Sequence, residues 1–154
     1  MRTIAALLIA AVAAMAVPAS NAAAHCELPC GIYHDEMYFS MIREDIETIE
    51  KSMKMIEALS AEEETDYNQL VRWVVNKEEH AEKLMHVVEQ YFLHQRIKPV
   101  DESGGEAHDD YLATLEVLHH MLVEAMKCTQ TTDLKHVENL KKLTDRFEKM
   151  YFQK

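Results

Sequence analysis

The sequence predicts an all-α protein, an antiparallel four-helix bundle carried behind a short, chemically distinct N-terminal segment. Three observations predict it. Beyond residue 34 the chain is rich in Glu, Lys, Leu, Met and Ala, all good helix formers. Apolar residues recur there in steps of three and four, over four separate stretches. No stretch alternates apolar and polar residues as a half-buried strand would.

The first element is a leader. Arg2 is the only charged side chain before His25, and Ile4 to Val17 is unbroken apolar sequence. Pro18, Ser20 and Asn21 follow, then three alanines. A positive start, a short apolar run and a small-residue cleavage site read as a secretory signal peptide. Fourteen apolar residues are short for a membrane span, which sets aside a retained anchor. Cleavage after Ala24 places Ala22 and Ala24 at the small-residue positions, and cleavage after Ala22 is the acceptable alternative. The first choice leaves 130 residues beginning His25-Cys26. The organisation expected is therefore a signal peptide over 1–24, a metal-binding hook over 25–33 and a bundle domain over 34–154. Export makes the mature protein periplasmic or extracellular, with no membrane partner.

The first bundle helix is expected from about Asp35 to Leu59, on the stripe Ile42, Ile46, Ile49, Met53 and Ile56. Ser60 with Glu63 reads as a capping box opening the second. That helix continues to about His94 through Leu70, Val74, Ala81, Leu84, Val88 and Tyr91, with Lys77 interrupting the stripe. Lys98 to His108 is a polar linker holding the adjacent Gly104 and Gly105. The third helix spans about Asp109 to Cys128, on Tyr111, Leu115, Leu118, Leu122 and Ala125. Thr131 or Thr132 is expected to cap the fourth, which ends near Phe152 and carries Leu134, Val137, Leu140, Leu143 and Phe147. Amphipathic helices joined by such loops fold as an antiparallel bundle.

Charge and cysteine content narrow the function. Of 16 Lys+Arg, Arg2 leaves with the leader, so 15 face 27 Asp+Glu, a net charge of −12. That argues against nucleic acid or an anionic membrane surface as a partner. Three cysteines, Cys26, Cys30 and Cys128, make no disulfide framework, and a Cys26–Cys30 bridge would close a tiny loop.

The chemistry is concentrated in His25-Cys26-Glu27-Leu28-Pro29-Cys30-Gly31-Ile32-Tyr33. Cleavage after Ala24 gives His25 a free amine. A metal held by that amine and the Cys26 amide nitrogen closes a five-membered ring, and the amide with the Cys26 thiolate closes a second. Cys30 supplies a fourth donor if the chain curls back, which Pro29 and Gly31 favour. Two nitrogens and two sulfurs in a plane suit Ni(II) or Cu(II) rather than tetrahedral zinc. Thiolates reduce Cu(II) and are consumed, so nickel is the better fit. The His25 imidazole remains available as an axial donor, which would stabilise the higher oxidation state and permit Ni(II)/Ni(III) cycling.

These residues resemble the nickel hook of nickel superoxide dismutases, His-Cys-x-x-Pro-Cys-Gly-x-Tyr. The resemblance implies conversion of superoxide to dioxygen and hydrogen peroxide, with a nickel ion as cofactor, in a homohexamer of four-helix bundles. It implies His25, Cys26 and Cys30 as metal ligands and places Tyr33 with them in the catalytic site, lining the approach to the open axial face. The family holds its axial imidazole with a helix-one glutamate and a helix-two arginine. Here Glu44 is the nearest candidate for the first, and His80 stands where the second is expected. Because superoxide is an anion and the subunit is acidic, Lys77 or Arg72 is expected to compensate the field near the hook.

Other readings are weaker. A non-catalytic exported nickel- or copper-binding bundle would follow from cleavage after Ala22, which yields Ala-Ala-His without a thiolate in the chelate. A purely structural helical oligomer leaves the hook unexplained. Glu116-x-x-His119 matches half of a di-iron carboxylate motif, without a second set. No Cys-x-x-Cys-His haem signature occurs. The ten methionines sit mostly at core positions, and the remaining histidines (34, 86, 94, 108, 119, 120 and 136) are scattered over surface and bundle.

Overall fold

The computed structural model describes residues 33–100 and 104–153. Helix α1 spans Asp35–Ser60, α2 spans Tyr67–His86, α3 spans Glu106–Gln130 and α4 spans Lys135–Phe152. From α2 the chain runs directly into a π-helical segment, Val87–Arg96. Each helix packs on its sequence neighbours, and α1 also packs on α4, which closes a four-membered ring. Cross-helix pairs fix the directions. Along α1 the partners on α2 descend from Asp45–His80 to Ser52–Asn76, and those on α4 from Arg43–Asp145 to Glu50–Lys141. Adjacent helices are therefore antiparallel, as the stripes imply.

The stripes become the core. Ile42, Ile46, Ile49 and Met53 of α1 are essentially inaccessible, with Leu84 and Val88 from the second helix and its extension, Leu118 and Met121 of α3, and Leu140 and Phe147 of α4. Ile56, Tyr111, Leu115, Leu122, Leu134 and Leu143 lie at the margins, half-buried. The end of the bundle where α1 begins is aromatic. Phe39, Phe92 and Phe147 meet there with ring centroids 4.8 to 5.2 Å apart. Tilted and edge-on rings at such spacing add to their area burial.

Helix boundaries depart from expectation where charge and capping decide them. Ser60 is the last residue of α1 rather than the cap of α2. Glu62, Glu63 and Glu64 crowd like charges into the turn, and the cap is Asp66, whose Oδ1 accepts from the Gln69 amide at 3.1 Å. Gly104 and Gly105 both take positive φ, so α3 starts at Glu106, inside the expected linker. Neither Thr131 nor Thr132 caps α4. Thr131 Oγ1 accepts from the Asp133 amide, and Asp133 Oδ1 accepts from the Lys135 amide.

Candidate metal centre

His25, Cys26 and Cys30, the expected ligands, lie outside the described residues. Tyr33 is described, and it marks where that segment joins the bundle. The residue is 37 % exposed. The Arg96 guanidinium carbon stands 4.2 Å from the ring centroid, and the Tyr91 ring meets it edge-on at 6.0 Å. A cleft of about 380 Å³ opens beside it, lined by Tyr33, His34, Asp35, Glu36, Met37 and Phe152.

A polar cluster holds this end together. Arg96 donates through Nε to Asp35 Oδ1 at 2.8 Å and through Nη2 to Asp35 Oδ2 at 2.7 Å. This fork-on-fork geometry is the strong form of such a pair. Arg96 Nε also donates to the Tyr151 hydroxyl at 2.8 Å, and the Tyr91 hydroxyl donates to Asp35 Oδ1 at 2.5 Å. Burial alone would raise the Asp35 carboxyl, but bonds from Arg96, Tyr91 and Tyr151 hold it below the usual aspartate range. Burial and the Asp35 carboxylate push the Tyr151 phenol up to about 12 and Tyr91 higher still. Both phenols therefore stay protonated donors at neutral pH. Asp35, Tyr91 and Arg96 carry no motif of their own, and reasoning from the sequence did not find them.

A second polar site lies nearly three turns along α1. His80 Nδ1 sits 2.7 Å from Asp45 Oδ1 in a cleft of about 280 Å³ with Met41, Glu44, Lys83, His86 and Val87. Glu44 and His80 thus share a cleft, but the carboxylate that bonds His80 is Asp45. Burial raises the Asp45 carboxyl, and the His80 contact opposes that rise.

The hook that Lys77 or Arg72 is expected to compensate lies outside the described residues, and both side chains stand well along α1 from Tyr33. Lys77 is buried, and its ammonium donates to the Thr129 and Thr131 carbonyls at 2.9 and 3.3 Å, capping the end of α3. Arg72 lies one turn before Asn76, which bonds Ser52 in the distal half of α1. From Ser52 back to the start of α1 is about 25 Å of helix, more than a Debye length at physiological salt.

Among the described residues, no three His, Cys, Asp or Glu side chains converge so as to hold a metal ion. That includes Glu116 and His119. Cys128 is a buried free thiol whose burial raises it to about 12, so it stays protonated at neutral pH.

An all-α bundle of four antiparallel helices is the class of protein that the fold defines. The family model of nickel-containing superoxide dismutase matches residues 20–154, and the chain belongs to that family. No curated protein and no solved structure matches it. The protein is accordingly an oxidoreductase, a nickel-dependent superoxide dismutase, and nickel is its cofactor.

Proposed function

We propose that the nickel is held by residues 25–33 of the exported chain, after removal of residues 1–24. The donors are the α-amine and imidazole of His25, the amide nitrogen and thiolate of Cys26, and the thiolate of Cys30. The donor set fits the ion: amine, amidate and two thiolates are the strong-field, partly soft ligands that a square-planar nickel site takes. Bound nickel supplies the one-electron chemistry by which two superoxide ions and two protons become dioxygen and hydrogen peroxide.

The observation that carries this reading is Tyr33. It closes the motif, and it is braced by Arg96 and Tyr91 at the start of α1. The eight residues before it reach at most about 28 Å, which bounds the distance of the centre from Tyr33. Tyr33 narrows the approach so that a small anion passes more readily than a larger one. The Glu44–Asp45–His80 cleft lies about 15 Å along α1 from Asp35, within that reach, and we read it as the seat of the His25 imidazole.

The mature subunits associate, as a hexamer by the family's pattern. The exposed row Tyr67, Val71 and Val75 on α2 supplies an apolar face for contact between copies. Metal analysis of the secreted protein tests the ligand assignment. Nickel near one per chain should fall to background in Cys26→Ser, with dismutation lost and helicity unchanged. An active Cys26→Ser protein contradicts the assignment.

A further inference from the structure

The second helix changes register as it nears Tyr33, and the change brings together groups an α-helix would separate. Tyr91 and Arg96 are five residues apart, and both bond the Asp35 carboxylate. In α-helical register they would point about 140° apart. In π register, with bonds from i to i+5, residue i+5 returns to nearly the same face. The Ile97 amide donates to the Phe92 carbonyl at 2.8 Å, and Gln95 Nε2 donates to the Gln90 carbonyl at 3.0 Å, so the widened turns are satisfied locally. Such segments are rare and gather at functional sites.

The groups so assembled converge on Tyr33. The Arg96 guanidinium faces the Tyr33 ring, pinned by Asp35 of α1 and Tyr151 of α4. Tyr91 presents its edge to Tyr33 while its face stacks on Tyr38, with centroids 3.5 Å apart. Three helices thus fix the two groups that touch the ring. Among the described residues Tyr33 makes no side-chain hydrogen bond, and a cation–π contact with an edge-on ring orients it.

We propose that the π-helical segment is a clamp for Tyr33, with Arg96 and Tyr91 as positioning residues that set which small anions reach the nickel. The inference rests on the reading that Tyr33 lines the approach of superoxide. A ring held in one place narrows the passage to a diatomic anion, and a released ring widens it to a longer one such as azide.

The test uses nickel-loaded secreted protein with two readouts. In protein labelled with 3-fluorotyrosine, the Tyr33 fluorine resonance is identified by its loss in Tyr33→Phe and compared with that of exposed Tyr67. It should lie away from Tyr67 in the parent, move toward it in Arg96→Gln, and be partly restored in Arg96→Lys. Inhibition by azide should strengthen roughly three- to tenfold in Arg96→Gln, the weight of one partly buried cation–π contact. An unmoved Tyr33 resonance in Arg96→Gln overturns the clamp. A moved resonance with unchanged azide inhibition overturns the positioning role, provided Tyr33→Ala does alter that inhibition. If Tyr33→Ala leaves it unaltered too, Tyr33 does not line the approach, and the proposal falls with that reading. Should Arg96→Gln fail to fold, Tyr91→Phe removes only the phenol bond to Asp35. It must then show the same two changes in smaller measure, and their absence overturns the clamp.

Discussion

Asp35→Asn is the perturbation whose cost the structure defines best. The Asp35 carboxylate accepts two bonds from Arg96 and one from Tyr91, and it sits in the first turn of α1, where a negative charge favours the helix. Hydrogen bonds to a charged group contribute about 1.5–3 kcal/mol each, so the three together are worth about 5 kcal/mol. Asparagine keeps one acceptor oxygen and loses the charge, so roughly half remains and the expected cost is about 2–3 kcal/mol. For a chain of this size that lowers Tm by about 6–12 °C, read by circular dichroism at neutral pH. The sign with pH follows from the depressed carboxyl. Its folded value lies below the ordinary 3.8, so its contribution is complete above that value and disappears as pH falls through the folded one. Parent and variant should therefore converge in strong acid. Equal Tm values at pH 7, or a deficit that persists undiminished at pH 2, would refute the reasoning.

Two further outcomes follow from the bundle. Lys77→Met, which unpairs the Thr129 and Thr131 carbonyls, should lower stability by about 1–3 kcal/mol in urea unfolding, while the dismutation rate and its salt dependence stay those of the parent. Phe147→Ala, which empties the centre of the aromatic end, should cost about 3–5 kcal/mol in the same assay; a cost under 1 kcal/mol would mean that Phe39 and Phe92 do not pack there as described.

The helices were legible because burial repeats at their period. Ile42, Ile46, Ile49 and Met53 step by four and three, and all four are buried. The start of α2 was missed because Ser60-Ala-Glu-Glu63 and Asp66 are both valid caps in isolation. Only the repulsion of three consecutive glutamates and the packing of the turn choose between them. The π segment left no such trace: its buried residues, Val87, Val88, Tyr91, Phe92 and Gln95, step by three and four as those of an α-helix do. Lys77 was legible as a charge in an apolar stripe, but not the helix end that charge meets. The hook chemistry was legible because ring closure at a metal depends on neighbouring residues alone. Arg96 and Asp35 were not, since they lie 61 residues apart and only the fold pairs them.

The account depends most on where the mature chain begins, because a free amine on His25 is one of the proposed ligands. Intact-mass analysis of the secreted, nickel-bound protein measures this directly. The expected result is a chain starting at His25, with one nickel ion retained under native conditions. An active, nickel-bearing chain starting at Ala23 or any other residue would contradict the central claim.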